Sequence, residues 1–186
     1  AIMDAEGKLL PSDGASQGEL VLRAPWLTQG YFREPEKGEE LWAHGWLHTG
    51  DVATIDGMGF IEIRDRIKDV IKTGGEWISS LELEDLISRH SAVREVAVVG
   101  VPDPQWGERP FALVVLRDAQ GLDAKGLKEH LKPFVEQGHI NKWAIPTQIA
   151  LVTEIPKTSV GIMDKKRIRV EIAQWQEAGS TFLSTL

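Results

Sequence analysis

The chain has 186 residues, 42% of them apolar, enough to build one ordinary domain or two small ones around packed cores. Its formal net charge of −7, from charges of both signs, offers no basic field to a nucleic-acid backbone or an anionic membrane, so nucleic-acid binding is disfavoured. The absence of cysteine excludes disulfides, thiolate metal sites and a cysteine nucleophile, and is compatible with an expected cytoplasmic location. No apolar run approaches the roughly 18 to 20 residues that cross a bilayer, so no transmembrane segment is expected. The opening stretch AIMDAEGKLLPSDG has neither the basic start nor the apolar core of a signal peptide. It reads as the interior of a longer polypeptide.

Up to Arg64 the pattern is short strands separated by turns. GELVLRAP, residues 18–25, alternates apolar and polar side chains, as do DVATID and GFIEIR, and DGMG at 56–59 predicts a tight hairpin between the last two. Beyond residues 64–66, where three charges interrupt the apolar strands, the pattern changes. DVIKTGG reads as a strand entering a glycine turn, and Ser79 or Ser80 caps a helix carrying Leu83, Leu86 and Ile87 and ending near His90. VREVAVVGVP and RPFALVVLR are unbroken apolar strands, the pattern of strands covered on both faces. LDAKGLKEHLKPFVEQG has helical spacing weakened by Gly126 and Pro133, TQIALVTEIP is a further strand, and Asp164 caps a last helix over DKKRIRVEIAQWQEA. The predicted class is α+β: a small unit over 65–186 with helices covering a short sheet, preceded by a β-rich piece over 1–64.

Three clusters carry candidate chemistry. In GWLHTGD a glycine puts Asp51 at the head of a strand, where a short carboxylate can accept two sugar hydroxyls or serve as an ordinary turn aspartate. In DRIKDVIKTGGEW, Arg66, Lys68 and Lys72 are predicted to share one face of one strand, either to meet an anion such as a phosphate or to make a solvated, charged edge. The third is IPKTSVGIMDKKRIR, residues 155–169, a proline, hydroxyl and glycine loop opening into a basic helix. A loop of that composition suits a cation aimed at an anionic ligand, yet the residue after Gly161 is Ile162. The five histidines show no metal spacing, and no metal site of the chain's own is expected.

In this order the clusters resemble the C-terminal part of the adenylate-forming superfamily, which comprises acyl-CoA synthetases, nonribosomal-peptide adenylation domains and firefly luciferase. The resemblance is most specific to fatty-acid and medium-chain acyl-CoA ligases through GGEWISSLELED and VPDPQWGERPFALVV, and begins at GELVLRAPWLTQGYFREPE. It implies that a carboxylic acid, such as a fatty acid, attacks the α-phosphate of ATP to give an acyl-adenylate, and that coenzyme A then displaces AMP. It also implies that residues 1–64 close a large N-terminal domain, that residues 65–186 form a mobile C-terminal domain, and that the hinge is Asp65. Position by position, Asp51 resembles the ribose-binding carboxylate and Arg66 a ribose or phosphate contact. Lys68 and Lys72 would line the nucleotide and phosphopantetheine side. Gly74, Gly75 and Glu76 would lie along the pantetheine arm, with Trp77 near the thioester-forming centre or simply packed in a core. Magnesium ligands, the triphosphate loop and the acyl pocket are expected upstream of Ala1.

The family loop reads Pro-Lys/Arg-Thr-x-x-Gly-Lys, and its last lysine bridges the substrate carboxylate and the α-phosphate. Ile162 holds that position, so adenylation is expected to fail and the piece alone to be inactive, whether isoleucine arose by engineering or in a natural pseudo-enzyme. Lys165 and Lys166, on the first turn of the next helix, are not expected to reach the same point. Two other readings compete: adenylation with transfer to a carrier protein or luciferase-like oxidation, and a non-catalytic interaction module using some of the seven tryptophans.

Overall fold

The computed structural model describes residues 1–117, 122–178 and 183–184 and divides into two compact units, Ala1–Lys68 and Asp69–Leu186. No described helix is long and apolar enough to cross a membrane.

The first unit is a four-stranded antiparallel sheet in the order β1 (Ile2–Met3), β2 (Gly18–Leu22), β3 (Leu47–Ile55) and β4 (Ile61–Arg66). Ile2, Ala53 and Ile55 form its small core. The expected hairpin joins β3 to β4, and the Asp56 carboxylate organises it by accepting the N–H groups of Met58 and Phe60, each at 2.9 Å. A short helix, α1 (Pro35–Leu41), has proline in its first turn and buries no residue, so no apolar stripe marked it in the sequence. Asp65 and Arg66 pair with Val52 and Asp51, carrying the sheet past the expected join at Asp65, so the units part between Lys68 and Asp69.

The second unit is built on two long strands, β7 (Val93–Asp103) and β8 (Gly107–Leu116), paired antiparallel. β9 (Gln148–Leu151) lies parallel to β8, a pairing that requires a crossover, supplied by α3 (Ala124–Glu136). β5 (Ile71–Thr73) and β6 (Glu76–Ile78) form a hairpin that joins the start of β8 at Thr73 and Gly107, and β10 (Leu183–Ser184) pairs with β9. The unbroken apolar strands are explained by helices on both faces. Val96, Val98, Ala112 and Val114 pack under α2 (Ser80–Ser88) and α3, whereas Val99, Phe111, Leu113 and Val115 point the other way onto Ile168 and Ile172 of α4 (Lys165–Glu177). The expected caps are in place, Ser79 accepting from the Glu82 N–H and Asp164 from Arg167, and the structure adds a third, Asp123 accepting from Gly126. Each such cap is worth about 1 kcal/mol.

Candidate functional site

Proline, two hydroxyl residues and glycine fold the stretch before α4 into a tight hairpin. Lys157 bridges Met163, the Thr158 N–H donates to the Ile162 carbonyl at 2.8 Å, and the Gly161 N–H donates to the Thr158 carbonyl at 2.9 Å. Gly161 sits at φ +81°, in the left-handed region that only glycine enters without strain. The hairpin is fastened on both sides. On entry Lys157 pairs with Glu95 at 2.8 Å and holds that carboxyl below the usual carboxylate range. On exit the Asp164 N–H donates to the Pro156 carbonyl, and the Lys165 ammonium reaches Ser80 and Glu84 of α2. The tip faces solvent: Ile162 is 66% exposed and is not among the described residues of either core cluster of this unit. Lys165 is committed to Glu84, which fits the expectation that it does not stand in at position 162.

Gly74 and Gly75 form the two-residue loop of the β5–β6 hairpin, at φ +58° and +87°. A two-residue hairpin with both central residues at positive φ needs glycine or asparagine-like residues whatever else the loop does. Gly74 has a second constraint, since a Cβ there would lie 3.1 Å from the Trp106 ring, while Gly75 has open space around it. Lys72 and Trp77 face each other across the hairpin, with the ammonium 5.7 Å from the ring centroid, and Glu76 is exposed. Lys72, Gly74, Gly75, Glu76 and Trp77 are thus brought together within six consecutive residues by one hairpin turn and need no long-range contact to meet.

Asp51 lies mid-strand in β3 rather than at a strand head, because Gly50 at φ +75° is absorbed into the strand, its N–H bound by the Glu19 carboxylate at 2.9 Å. Arg66 is its neighbour on β4, with Nε 3.6 Å from the Asp51 carboxylate. That is long for a charge-assisted bond, so the half-exposed carboxylate keeps acceptor capacity. Asp65 is buried, and one carboxylate oxygen accepts the Arg66 N–H at 2.7 Å. The expected single strand bearing Arg66, Lys68 and Lys72 does not form. Arg66 ends β4, Lys68 stands in a turn of the first unit, and Lys72 is in β5 of the second. Burial of Val70 and Ile71 and the pairing of Asp69 with Arg169 at 2.9 Å start a new unit where the alternation of charges had read as one continuous strand.

Several residues of the second unit carried no assignment from sequence. The Trp106 and Trp143 rings meet at 5.0 Å with a 36° tilt, and Lys142 lies over the Trp143 ring at 4.7 Å. Arg109 is buried beside Trp143, and its Nη1 has no hydrogen-bond partner among the described residues. Burial lowers the Arg109 pKa and Asp103 partly offsets this. Glu108 binds the Lys72 N–H at 2.9 Å. Trp106, Glu108 and Arg109 do lie in the stretch VPDPQWGERPFALVV that carried the resemblance, but it gave none of them a role.

Residues 82–161 match the family described as the AMP-binding enzyme C-terminal domain. Over 91% of its length the chain is 44% identical to the 3-methylmercaptopropionyl-CoA ligase of Ruegeria lacuscaerulensis, and over 90% it is 41% identical to the long-chain-fatty-acid–CoA ligase of Thermus thermophilus. It spans 30% of the length of each. Among solved structures it is similar to ATP-bound MatB from Rhodopseudomonas palustris, with a TM-score of 0.78 and 29% identity over 95% of this chain and 34% of that one. It is also similar to the amide bond synthetase McbA from Marinactinospora thermotolerans, with a TM-score of 0.77 and 34% identity over 92% of this chain and 33% of that one. Residues 82–161 thus match the AMP-binding enzyme C-terminal domain, and the likeness to CoA ligases extends over about nine-tenths of this chain.

Proposed function

We propose that the chain is the carboxy-terminal portion of an AMP-forming acid–thiol ligase, which activates a fatty acid or another small carboxylic acid with ATP and passes the acyl group to coenzyme A. The observation that carries this reading is the hairpin at 157–163, rigid at both ends and presenting the side chain of residue 162 to solvent. A loop built in this way can push one side chain into a partner surface without a core of its own. In the resembled family that side chain is the lysine between carboxylate and α-phosphate. Asp51, with Arg66 beside it, takes the ribose role, and the Lys72–Trp77 hairpin takes the coenzyme A side. Asp65 and the residues up to the unit boundary at Lys68 and Asp69 serve as hinge. Magnesium accompanies ATP on ligands supplied from outside these residues.

Isoleucine at 162 gives no donor to the charge that builds as two anions meet. Loss of one preorganised donor typically costs about 10²- to 10³-fold in rate. In the full-length polypeptide, Ile162→Lys is expected to raise acid-dependent pyrophosphate release by at least that factor, while acyl transfer from supplied acyl-adenylate to coenzyme A changes little. An unchanged rate of pyrophosphate release would reject the role of position 162. The similarity to an amide bond synthetase favours one second reading, an amine as acceptor after the same adenylation step. Product analysis with coenzyme A and an amine supplied together separates the two.

A further inference from the structure

We infer that Glu108 is a positioning residue for the acyl-transfer half-reaction, holding β5 and its Gly74–Gly75 turn in register through its carboxylate. The inference rests on the reading that residues 72–77 face coenzyme A. β5 is only three residues long and meets the main sheet at one residue pair, Thr73 with Gly107, so backbone pairing alone fixes it weakly. Glu108 supplies the missing contacts. Its Oε2 accepts the Lys72 N–H at 2.9 Å, and its backbone carbonyl accepts the Thr73 hydroxyl at 2.6 Å. One residue further, the Gly74 N–H donates to the Trp106 carbonyl at 2.8 Å. The carboxylate occupies the space beside Gly100, where an added Cβ would come within 2.9 Å of Oε2. Only a residue without a side chain leaves that room.

Among the described residues Glu108 forms no ion pair, so its acceptor capacity is directed at the backbone of β5. The outcome is a turn whose position along β8 rests on a few contacts, of which the bond to the Lys72 N–H comes from the Glu108 side chain. Thioester formation needs the incoming thiol within a near-attack distance, and a misplacement of about 1 Å can cost about 10²-fold. A glutamate that touches neither nucleotide nor thiol can therefore govern the second half-reaction through the turn.

The test uses the full-length polypeptide and follows acyl transfer from supplied acyl-adenylate to coenzyme A. Glu108→Ala is expected to slow transfer by about 10- to 100-fold. In an Ile162→Lys background the same variant is expected to leave pyrophosphate release within about twofold, because uniform loss would mean general damage to the fold. Glu108→Gln keeps an acceptor oxygen and is expected to recover most of the transfer rate. Equal loss in both half-reactions, an unchanged transfer rate in Glu108→Ala, or a glutamine variant as slow as alanine would each overturn the inference. If the unsubstituted chain passes no acyl group to coenzyme A, the functional reading fails instead, and amide hydrogen exchange still decides the positioning claim. Exchange at Lys72, Thr73 and Gly74 is expected to accelerate at least tenfold in Glu108→Ala and not in Glu108→Gln, and unchanged exchange in the alanine variant would overturn it.

Discussion

The Lys165 ammonium sits 2.8 Å from the Glu84 carboxylate and 2.7 Å from the Ser80 hydroxyl, with the two charged side chains only 10% and 14% exposed. The same Glu84 oxygen accepts the Val98 N–H at 2.8 Å, so one carboxylate joins the first turn of α4 to α2 and to the central strand β7. Removing one member of a buried pair leaves the other charge uncompensated and costs about 3 to 5 kcal/mol. Lys165→Met is therefore expected to lower the thermal unfolding midpoint by several degrees or more, whereas Lys166→Met, on an exposed position of the same turn, is expected to leave it within about a degree.

Gly161 and Gly75 both take positive φ with no atom near the place a Cβ would occupy, so substitution there is a test of backbone strain alone. A β-branched residue in this conformation costs about 1 to 2 kcal/mol, and asparagine less. Gly161→Val is expected to destabilise more than Gly161→Asn by urea unfolding. At Gly74, where a Cβ also meets the Trp106 ring at 3.1 Å, alanine is expected to be worse than at Gly75.

His90 closes the α2 end, accepting the Ala92 N–H on Nδ1 at 3.2 Å and meeting the His130 ring edge-on at 5.0 Å. Burial first, and the nearby His130 second, depress its pKa below the ordinary histidine value. The folded protein then holds His90 neutral while the unfolded chain takes up a proton below about pH 6.5. The stabilising contribution is full above that pH and falls as pH drops toward the depressed folded value. His90→Asn, whose side-chain oxygen can still accept from Ala92, is expected to flatten the loss of stability between about pH 6.5 and 5 in thermal unfolding series. A slope identical to that of the unsubstituted chain would assign the acid sensitivity elsewhere.

Arg109 shows the opposite balance. The residue is 8% exposed and one of its guanidinium nitrogens makes no hydrogen bond among the described residues, so desolvation is poorly compensated. Replacing a poorly compensated buried charge by an apolar side chain of similar length is often neutral or stabilising by about 1 kcal/mol or more. Arg109→Met is expected to leave the thermal midpoint unchanged or raised. A marked drop would show that its contacts with Trp143 and Asp103 outweigh the burial cost.

Much of the fold was readable because it is written in local periodicity. The runs VREVAVVGVP and RPFALVVLR announce strands covered on two faces, and alternate residues of β7 and β8 do pack against α2 and α3 on one side and α4 on the other. Ser79 and Asp164 are capping residues whose chemistry acts within three residues. α1 escaped notice because it buries nothing, and β6 because a three-residue strand after two glycines carries too little pattern.

For the candidate site the division is similar. Clusters confined to one turn, such as Lys72 to Trp77 and the hairpin at 157–163, were legible because a turn brings its own residues together. The shared face of Arg66, Lys68 and Lys72 was not real, since strand alternation holds only while the strand continues, and burial of Val70 and Ile71 ends it. By itself the sequence determined the α+β class, the helix starts and the glycine turns, all products of interactions spanning a few residues. Which charges are neutralised across the fold was decided only by tertiary packing. Glu84 meets Lys165, Glu108 meets β5 and Arg109 lies without a full set of partners among the described residues, because burial removes water and forces each polar group to take whatever neighbour the chain topology delivers.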